Sequence, residues 1–403
     1  MFRGLPIVAV VLALVAAACA SGGATTQGRD DAATAAGPTA LAVAYEGGLS
    51  NDHPDFATPL IDVTRVAYGL QAPDLIPSVD QPTFSTIEEI GDWLPDEEAV
   101  VIVTVGEQAR AYPVRILISH EIVNDEIDGT PVAVTYCPLC NSALAFVSIV
   151  DGRPTTFGVS GMLFNSALIM YDRETESLWL HYTGEAVVGE RVGDQLERVP
   201  ASLVSWAEFK ENHPEGMVLD SADRGRYGGN AYANAGSRGA AYDTLGSEPF
   251  LFNGITDPRA QSMQRVAGVA LDGEATAWTL SVLAGGAATV TDGVVGNQPV
   301  VVFWTSGQSS ALAGREINSG VVVGSTGVFL PVVDGVAMEF DAEGDHFVDR
   351  ATSSTWNIEG VAVSGPLEGT ALERVPHVDS FWFAWSSYWP ETKLVTIDGT
   401  LLP

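Results

Sequence analysis

The chain has 403 residues, enough for two ordinary domains, and its 46% hydrophobic content allows a large buried core. Its 51 acidic and 19 basic side chains give a formal net charge of −32 at pH 7. Such a surface repels phosphate backbones, which argues against nucleic acid as a partner and indicates a solubility or salt adaptation.

The first nineteen residues have the pattern of a secretion signal. Arg3 supplies a positive charge, residues 5–15 form an apolar run too short to span a bilayer, and three alanines precede Cys19. This pattern resembles the bacterial lipoprotein cleavage site, which predicts that Cys19 is lipidated. Cleavage by an ordinary signal peptidase is the alternative. We therefore expect an extracytoplasmic protein that is lipid-anchored to the cell membrane.

The rest of the chain is predicted to contain a tether and two related units. Residues 20–60 are expected to form a flexible tether, because the part up to residue 40 is rich in Ser, Gly, Ala and Thr. We assign a first unit to residues 61–222 and a second to residues 265–403. A Gly-, Ala- and Tyr-rich connector, residues 223–264, joins them.

An internal repeat is the basis of this division. Residues 172–179 match residues 349–356, and residues 196–200 match residues 372–376 as Leu-Glu-Arg-Val-Pro in both places. The sequence therefore predicts two homologous β-rich units in tandem, produced by internal duplication.

Within a unit the pattern favours an α+β fold that is predominantly antiparallel β. Residues 100–105 and 132–136 are continuous apolar runs, as expected of buried strands. Residues 114–123 and 202–212 have the spacing of helices, the second with Ser202 as a possible cap.

The two units differ at residues that can carry chemistry. Cys137 and Cys140 occur only in the first unit, opposite Thr305 and Gln308 of the second. The histidines of the first unit have no counterparts in the second either. Features present in only one copy are candidates for function, whereas shared features are expected to be architectural.

Cys137 and Cys140 form a Cys-Pro-Leu-Cys motif where a predicted strand ends. Two-residue spacing lets both sulfurs reach one point, which leaves three interpretations: a permanent disulfide, a copper-like soft-metal site, or a thiol redox pair. The metal interpretation needs further ligands, and the sequence offers His120, His181, Met162 and Met170.

Other polar residues of the first unit are candidates for binding a cofactor or ligand. His120 and Asn124 are four residues apart, so on the predicted helix they would share one face and could line the cysteine site. Their alternative role is to end that helix, Asn124 as its cap. The remaining candidates are Tyr136, Ser160 and Asn165.

Several motifs together resemble a bacterial and archaeal family known as domain of unknown function 3179 (DUF3179). The resemblance covers nearly all of residues 95–395, and the family name implies no activity. It rests on seven segments: His-Glu-Ile-Val-Asn-Asp at 120–125, Tyr-Cys-Pro-Leu-Cys at 136–140, Phe-Gly-Val-Ser-Gly at 157–161, Met-Tyr-Asp-Arg-Glu-Thr at 170–175, Ser-Leu-Trp at 177–179, Gly-Glu-Ala at 184–186 and Ser-Phe-Trp-Phe-Ala-Trp at 380–385.

The sequence supports one leading functional hypothesis and two alternatives. The leading one is a membrane-tethered extracytoplasmic protein in which Cys137 and Cys140 hold a soft metal, for example copper, or exchange an electron pair. The first alternative is a non-catalytic binding or scaffold module with a structural Cys137–Cys140 disulfide. The second is an enzyme acting on a small extracellular molecule, for which the sequence contains neither a nucleotide loop nor a hydrolytic triad.

Overall fold

A computed structural model of the chain describes residues 37–396 and 399–403, with the side chain of Val282 left out. The predicted signal segment and Cys19 lie outside the described residues. None of the helices in the described ranges is long and apolar enough to cross a membrane. These helices are α1 (Ala40–Glu46), α2 (Ile87–Ile90), α3 (Val114–His120), α4 (Trp206–Asn212), α5 (Leu280–Leu283) and α6 (Trp382–Tyr388), with single 3-10 turns at Val63–Arg65, Gly91–Trp93, Arg224–Arg226 and Ser237–Gly239.

Strands are the main elements of the fold. Those before the connector are β1 (Ala67–Tyr68), β2 (Thr83–Thr86), β3 (Ala99–Val105), β4 (Gln108–Pro113), β5 (Ile122–Ile127), β6 (Thr130–Cys137), β7 (Ser142–Val147), β8 (Ile149–Val150), β9 (Arg153–Pro154), β10 (Phe157–Phe164), β11 (Ala167–Asp172), β12 (Leu178–Leu180), β13 (Ala186–Val188), β14 (Arg198–Val199), β15 (Ala201–Ser205) and β16 (Met217–Asp220). Those after it are β17 (Arg265–Leu271), β18 (Glu274–Thr279), β19 (Ala288–Val295), β20 (Gln298–Thr305), β21 (Ser325–Phe329), β22 (Val332–Val333), β23 (Val336–Ala337), β24 (Phe340–Glu343), β25 (His346–Asp349), β26 (Thr355–Trp356), β27 (Ala362–Ser364), β28 (His377–Phe381), β29 (Lys393–Val395) and β30 (Leu401–Leu402).

Three sheets of four or five strands form the part of the chain before the connector. Their strand orders are β1-β10-β11-β12-β13, β14-β7-β6-β5 and β15-β3-β4-β16-β2. All pairs are antiparallel except β4 with β16. The first five residues of β3 are buried, because this apolar strand lies inside its sheet.

The part after the connector repeats much of this arrangement. Its larger sheets have the orders β28-β17-β18-β29-β30, β19-β20-β21 and β24-β25-β26-β27. In both parts a hairpin (β3–β4 or β17–β18) leads through a short helix (α3 or α5) into a second hairpin (β5–β6 or β19–β20). The second strand of the first hairpin also has a parallel neighbour in each part, β16 or β29. The fold is therefore β-rich and mostly antiparallel, as the sequence predicted.

The matching segments at 172–179 and 349–356 form the same hydrogen-bonded turn. The indole nitrogen of Trp179 donates to Oδ2 of Asp172 at 2.9 Å, and Trp356 donates to Oδ2 of Asp349 at 3.1 Å. In each turn the aspartate also accepts at 2.6 Å from the backbone amide three residues further on. The aspartate satisfies donors that the turn would otherwise leave unpaired.

One large hydrophobic cluster extends across all three assigned segments. Phe146 contributes from the first unit, Tyr242 from the connector and Trp382 from the second unit, each almost completely buried. The connector is mostly irregular, in keeping with its composition. Tyr242 nevertheless has no exposed surface, so this loop contributes to the core.

Local boundaries differ from the sequence-based expectations at three places. The helix expected over 114–123 ends at His120, because Glu121 has a φ of 60° and β5 follows. The helix expected over 202–212 begins at Trp206, and Ser205 rather than Ser202 caps it, because residues 201–205 pair with β3. The expected tether overlaps α1, whose apolar face packs into a cluster, so this part is ordered.

Candidate functional site

The cysteine pair lies on a tight turn between two paired strands. Cys137 ends β6 and pairs with Ser142, the first residue of β7, so that Cys140 lies within the connecting turn. Both cysteines are free thiols, with relative exposures of 1% and 0%. Each thiol is within hydrogen-bonding reach of the other. The spacing read from the sequence therefore does bring the two sulfurs together.

A chain of side chains extends from Cys140 into the core. Its sulfur lies 2.9 Å from Oγ of Ser142, which in turn lies 2.7 Å from Nε2 of His181. The other ring nitrogen, Nδ1, lies 2.8 Å from Oγ1 of Thr135. All of these groups are buried.

The direction of these hydrogen bonds follows from Thr135. Its hydroxyl donates to the carbonyl of Leu144 at 3.1 Å, so its oxygen accepts from Nδ1–H of His181. Nε2 of His181 is then unprotonated and accepts from the Ser142 hydroxyl, whose oxygen contacts the Cys140 sulfur. This network assigns the tautomer of His181 and gives every member a partner.

The surroundings of the two thiols favour different protonation states. Burial opposes ionisation of Cys137, but hydrogen bonds from the Cys140 thiol and from the amides of Cys140, Leu168 and Leu139 place its pKa below the ordinary value. For Cys140, burial and then the neighbouring Cys137 raise the pKa well above that value. Cys137 is therefore the thiol that ionises more readily.

Burial also changes the pKa of His181. Loss of solvent, together with the positive charge of Arg198, lowers its pKa to about 3. The imidazole is consequently neutral across the physiological range. This agrees with its role as an acceptor for Ser142 and a donor to Thr135.

Glu121 is a further member of the site. It follows α3, and its backbone carbonyl accepts from the amide of Tyr136, next to Cys137. Burial, and then the neighbouring Cys137, raise the pKa of Glu121 to about 8. A carboxyl group that stays protonated near neutral pH is typical of functional sites. Its φ of 60° adds local backbone strain, another feature found at such sites.

Asn141 supplies an unpaired donor beside Cys140. Its Oδ1 accepts from the hydroxyl of Tyr136 at 3.2 Å, but its buried Nδ2 has no hydrogen-bond partner among the described residues. An orphaned buried donor is unusual in a native protein and calls for an explanation. Through this hydrogen bond to Asn141, Tyr136, a predicted binding residue, contacts the turn that holds the cysteines.

The structure separates His120 from Asn124. His120 ends α3, whereas Asn124 lies within β5, so the shared helical face expected from their spacing does not exist. The amide of Asn124 exchanges hydrogen bonds at 2.9 Å with the backbone of Phe157, which fixes β5 against β10. That prediction was wrong because the chain turns at Glu121 before a further helical turn can form.

The other predicted residues are placed in structural contacts. Ser160 donates to the carbonyl of Ile169 at 2.6 Å. Asn165 accepts a hydrogen bond from Arg65. Met162 packs in a hydrophobic cluster that contains α1, while Met170 belongs to the cluster that contains both cysteines.

The histidines predicted as metal ligands already have hydrogen-bond partners. Nδ1 of His120 is 2.7 Å from the carbonyl of Pro77 and Nε2 is 3.0 Å from the hydroxyl of Tyr227. Both nitrogens of His181 are also engaged. Within the part of the chain that the structure describes, no three His, Cys, Asp or Glu side chains are grouped so as to hold a metal ion. The copper-like centre therefore stays a prediction, without an imidazole nitrogen left free to complete it.

Comparison with protein families supports the resemblance read from the motifs. Residues 73–392 match the family model described as "Protein of unknown function (DUF3179)". The chain belongs to this family. Searches of curated proteins and of solved structures gave no match.

The DUF3179 region contains every residue of the cysteine site. Cys19 and α1 lie before its first matched residue, and β30 lies after its last. The sequence analysis had not selected Glu121, Thr135 or Ser142. Glu121 belongs to one of the quoted motifs, and Ser142 follows Cys140 by two residues, but neither position by itself indicates a side chain directed at a thiol.

Proposed function

We propose that this DUF3179 protein is a thiol–disulfide redox protein whose working groups are Cys137 and Cys140. The observation that carries the proposal is that the two free thiols are within reach of each other while their surroundings favour ionisation of only one. Such a dithiol forms a disulfide by losing two electrons and two protons, and it is restored by the reverse exchange. Cys137 is the attacking sulfur and Cys140 the second thiol.

The neighbouring groups suit this chemistry better than they suit metal binding. Ser142 contacts the Cys140 sulfur directly, and His181 holds the Ser142 hydroxyl in one orientation. Glu121 adds a carboxyl whose charge responds to that of Cys137. A soft-metal site that used the predicted imidazole ligands would need a ring nitrogen with a free lone pair, and both nitrogens of His120 and of His181 are engaged.

The test is an equilibrium redox titration of the full chain. The protein is incubated in buffers with different ratios of reduced to oxidised dithiothreitol, its thiols are alkylated, and the fraction oxidised is read by peptide mass spectrometry. We expect one reversible two-electron transition at a potential above about −300 mV, because structural disulfides have lower potentials. Cys137→Ser and Cys140→Ser, which each leave one sulfur, should abolish the transition.

A second candidate is a binding or scaffold module in which the cysteines form a permanent disulfide. The near-complete burial of both cysteines favours it. However, a cross-link across the four residues 137–140 closes a very short loop, which limits its stabilisation to about 2 kcal/mol. This candidate predicts that the disulfide remains oxidised below about −300 mV and that Cys137→Ser lowers the melting temperature without affecting binding.

We also propose that the protein acts outside the cytoplasm, tethered to the membrane by a lipid on Cys19. The signal-like first nineteen residues support this location, and an oxidising compartment is where a reversible cysteine pair can form a disulfide. In cells grown with a labelled fatty acid, the wild-type chain should carry the label and move to the membrane fraction. Cys19→Ala should do neither, whereas Cys137→Ala should retain both.

Internal duplication is our proposal for the origin of the fold. It is supported by the order of hairpins and short helices in the two parts and by the equivalent turns at Asp172 and Asp349. In this interpretation one unit retained the cysteine site, and the other provides support.

A further inference from the structure

The connector and the second unit both cover the cysteine turn. From the connector, the hydroxyl of Tyr242 donates to the carbonyl of Leu139, between the two cysteines, at 2.9 Å. From the second unit, the amide of Phe381 donates to the carbonyl of Cys140 at 3.0 Å, and the hydroxyl of Ser380 does so at 3.1 Å. The turn is therefore held from both sides through its own backbone.

A second contact closes the side next to Cys137. Its sulfur lies 3.8 Å from the carbonyl of Ser166, and the Ser166 hydroxyl donates at 2.5 Å to the carbonyl of Phe250 in the connector. The amide of Phe250 donates in turn to the hydroxyl of Tyr242 at 3.3 Å. The connector segment from Tyr242 to Phe250 thus spans the cysteine pair, and Tyr242 holds it to the turn.

This enclosure limits which oxidants can reach the sulfurs. Exchange with a protein disulfide requires three sulfur atoms in line, so a partner chain would have to reach sulfurs that are 1% and 0% exposed and that lie at a turn held by Tyr242 of the connector. An uncharged molecule with only two or three heavy atoms needs no more than a small fluctuation of the packing to reach the sulfurs. The net charge of −32 further disfavours the approach of anionic disulfides.

We propose that the oxidant of the pair is a small uncharged hydroperoxide, and that the connector segment around Tyr242 excludes protein and peptide disulfides; this inference rests on the proposed redox function. Cys137 attacks one peroxide oxygen, the O–O bond breaks, and the products are a sulfenic acid and one water. The Cys140 sulfur then attacks the Cys137 sulfur, the S–O bond breaks, and the hydroxyl leaves with the Cys140 proton as a second water. Two thiols and one hydrogen peroxide become one disulfide and two waters.

The experiment compares oxidants of different size on the reduced full chain. Hydrogen peroxide, oxidised glutathione, which is anionic, and cystamine, which is a small cationic disulfide, are each mixed with the protein, and loss of thiols is followed by quenched alkylation and mass spectrometry. The same reactions in urea give the rates for open thiols. For each oxidant, the rate in urea is divided by the rate with the folded chain. We expect this ratio to be at least about 100-fold larger for both disulfides than for hydrogen peroxide. Equal slowing of peroxide and cystamine, or no disulfide from peroxide in the folded chain, would overturn the proposal.

A variant of the cover separates enclosure from intrinsic reactivity. Tyr242→Phe removes the hydrogen bonds to Leu139 and Phe250 but keeps the ring, and it should raise the cystamine rate about tenfold more than the peroxide rate. Ser237→Ala, which removes an exposed hydroxyl from the same connector without touching these bonds, should leave the ratio unchanged. If both variants leave the ratio unchanged, the connector is not the barrier. A pair that cannot be cycled by dithiothreitol would instead refute the redox function itself.

Discussion

The hydroxyl of Ser142 lies 2.7 Å from Nε2 of His181, and this contact connects a buried imidazole to Cys140. The arrangement makes His181 the member of the network whose replacement should have the clearest consequences.

Replacing His181 tests the network through stability. His181→Leu leaves the buried hydroxyl of Ser142 without its acceptor and removes the donor to Thr135, which should lower the free energy of unfolding by about 2–4 kcal/mol. His181→Gln can still accept from one hydroxyl and donate to the other, so it should lower the free energy of unfolding by no more than about 1–2 kcal/mol. Urea unfolding of the reduced proteins measures both. Equal losses for the two variants would show that shape rather than hydrogen bonding matters here.

The lowered pKa of His181 predicts a pH dependence of stability. Between about pH 3, its folded value, and its ordinary value of 6.5, the unfolded chain binds a proton that the folded chain does not. Stability contributed by this residue should therefore be complete above pH 6.5 and decrease as the pH falls, by at most about 5 kcal/mol. The difference in unfolding free energy between wild type and His181→Gln, measured from pH 7 to pH 4, should follow this curve. A constant difference would contradict it.

Glu121 predicts the opposite trend at higher pH. Its folded pKa of about 8 lies above the ordinary 4.5, so over this interval the folded chain binds the extra proton and stability decreases as the pH rises. Because the residue is partly exposed, we expect a loss of about 1–3 kcal/mol between pH 5 and pH 8. Glu121→Gln should abolish this loss in urea unfolding of the reduced protein. Glu126→Gln, at an exposed position of β5, is the matched control and should retain it.

The two equivalent turns predict equivalent energies. Asp172→Ala removes the acceptor for the indole of Trp179 and for two backbone amides, and Asp349→Ala does the same around Trp356. Each variant should lower the free energy of unfolding by about 2–4 kcal/mol, because the donors remain buried and unpaired. Denaturant titration of both variants tests this. Values that differ by more than about 2 kcal/mol would contradict equal roles for the two turns.

Strands could be located from the sequence because a run of apolar residues is a local pattern that needs no knowledge of the tertiary structure. Apolar runs at 100–105 and 132–136 lie within β3 and β6. The helix boundaries were less accurate. The chain leaves α3 at Glu121 through a positive φ, which a glutamate adopts only when its surroundings hold it there.

The site was predictable in part for a similar reason. A two-residue spacing brings Cys137 and Cys140 together in any tight turn, so local geometry was sufficient. His120, Asn124 and Met162 were grouped with them by sequence pattern, but they contact Pro77, strand β10 and the cluster that contains α1, respectively. Contacts between distant segments depend on sheet register, which a single sequence does not report.

By itself the sequence determined the strand-rich class, the family, the cysteine spacing and the acidic surface, because each depends on composition or on residues close together in the chain. Only the tertiary structure decided that Ser142 and His181 serve Cys140, that Glu121 lies beside Cys137, and that Tyr242 covers the turn. These relationships depend on burial and on the meeting of segments up to about a hundred residues apart, and burial is what changes the acidity and accessibility of a thiol.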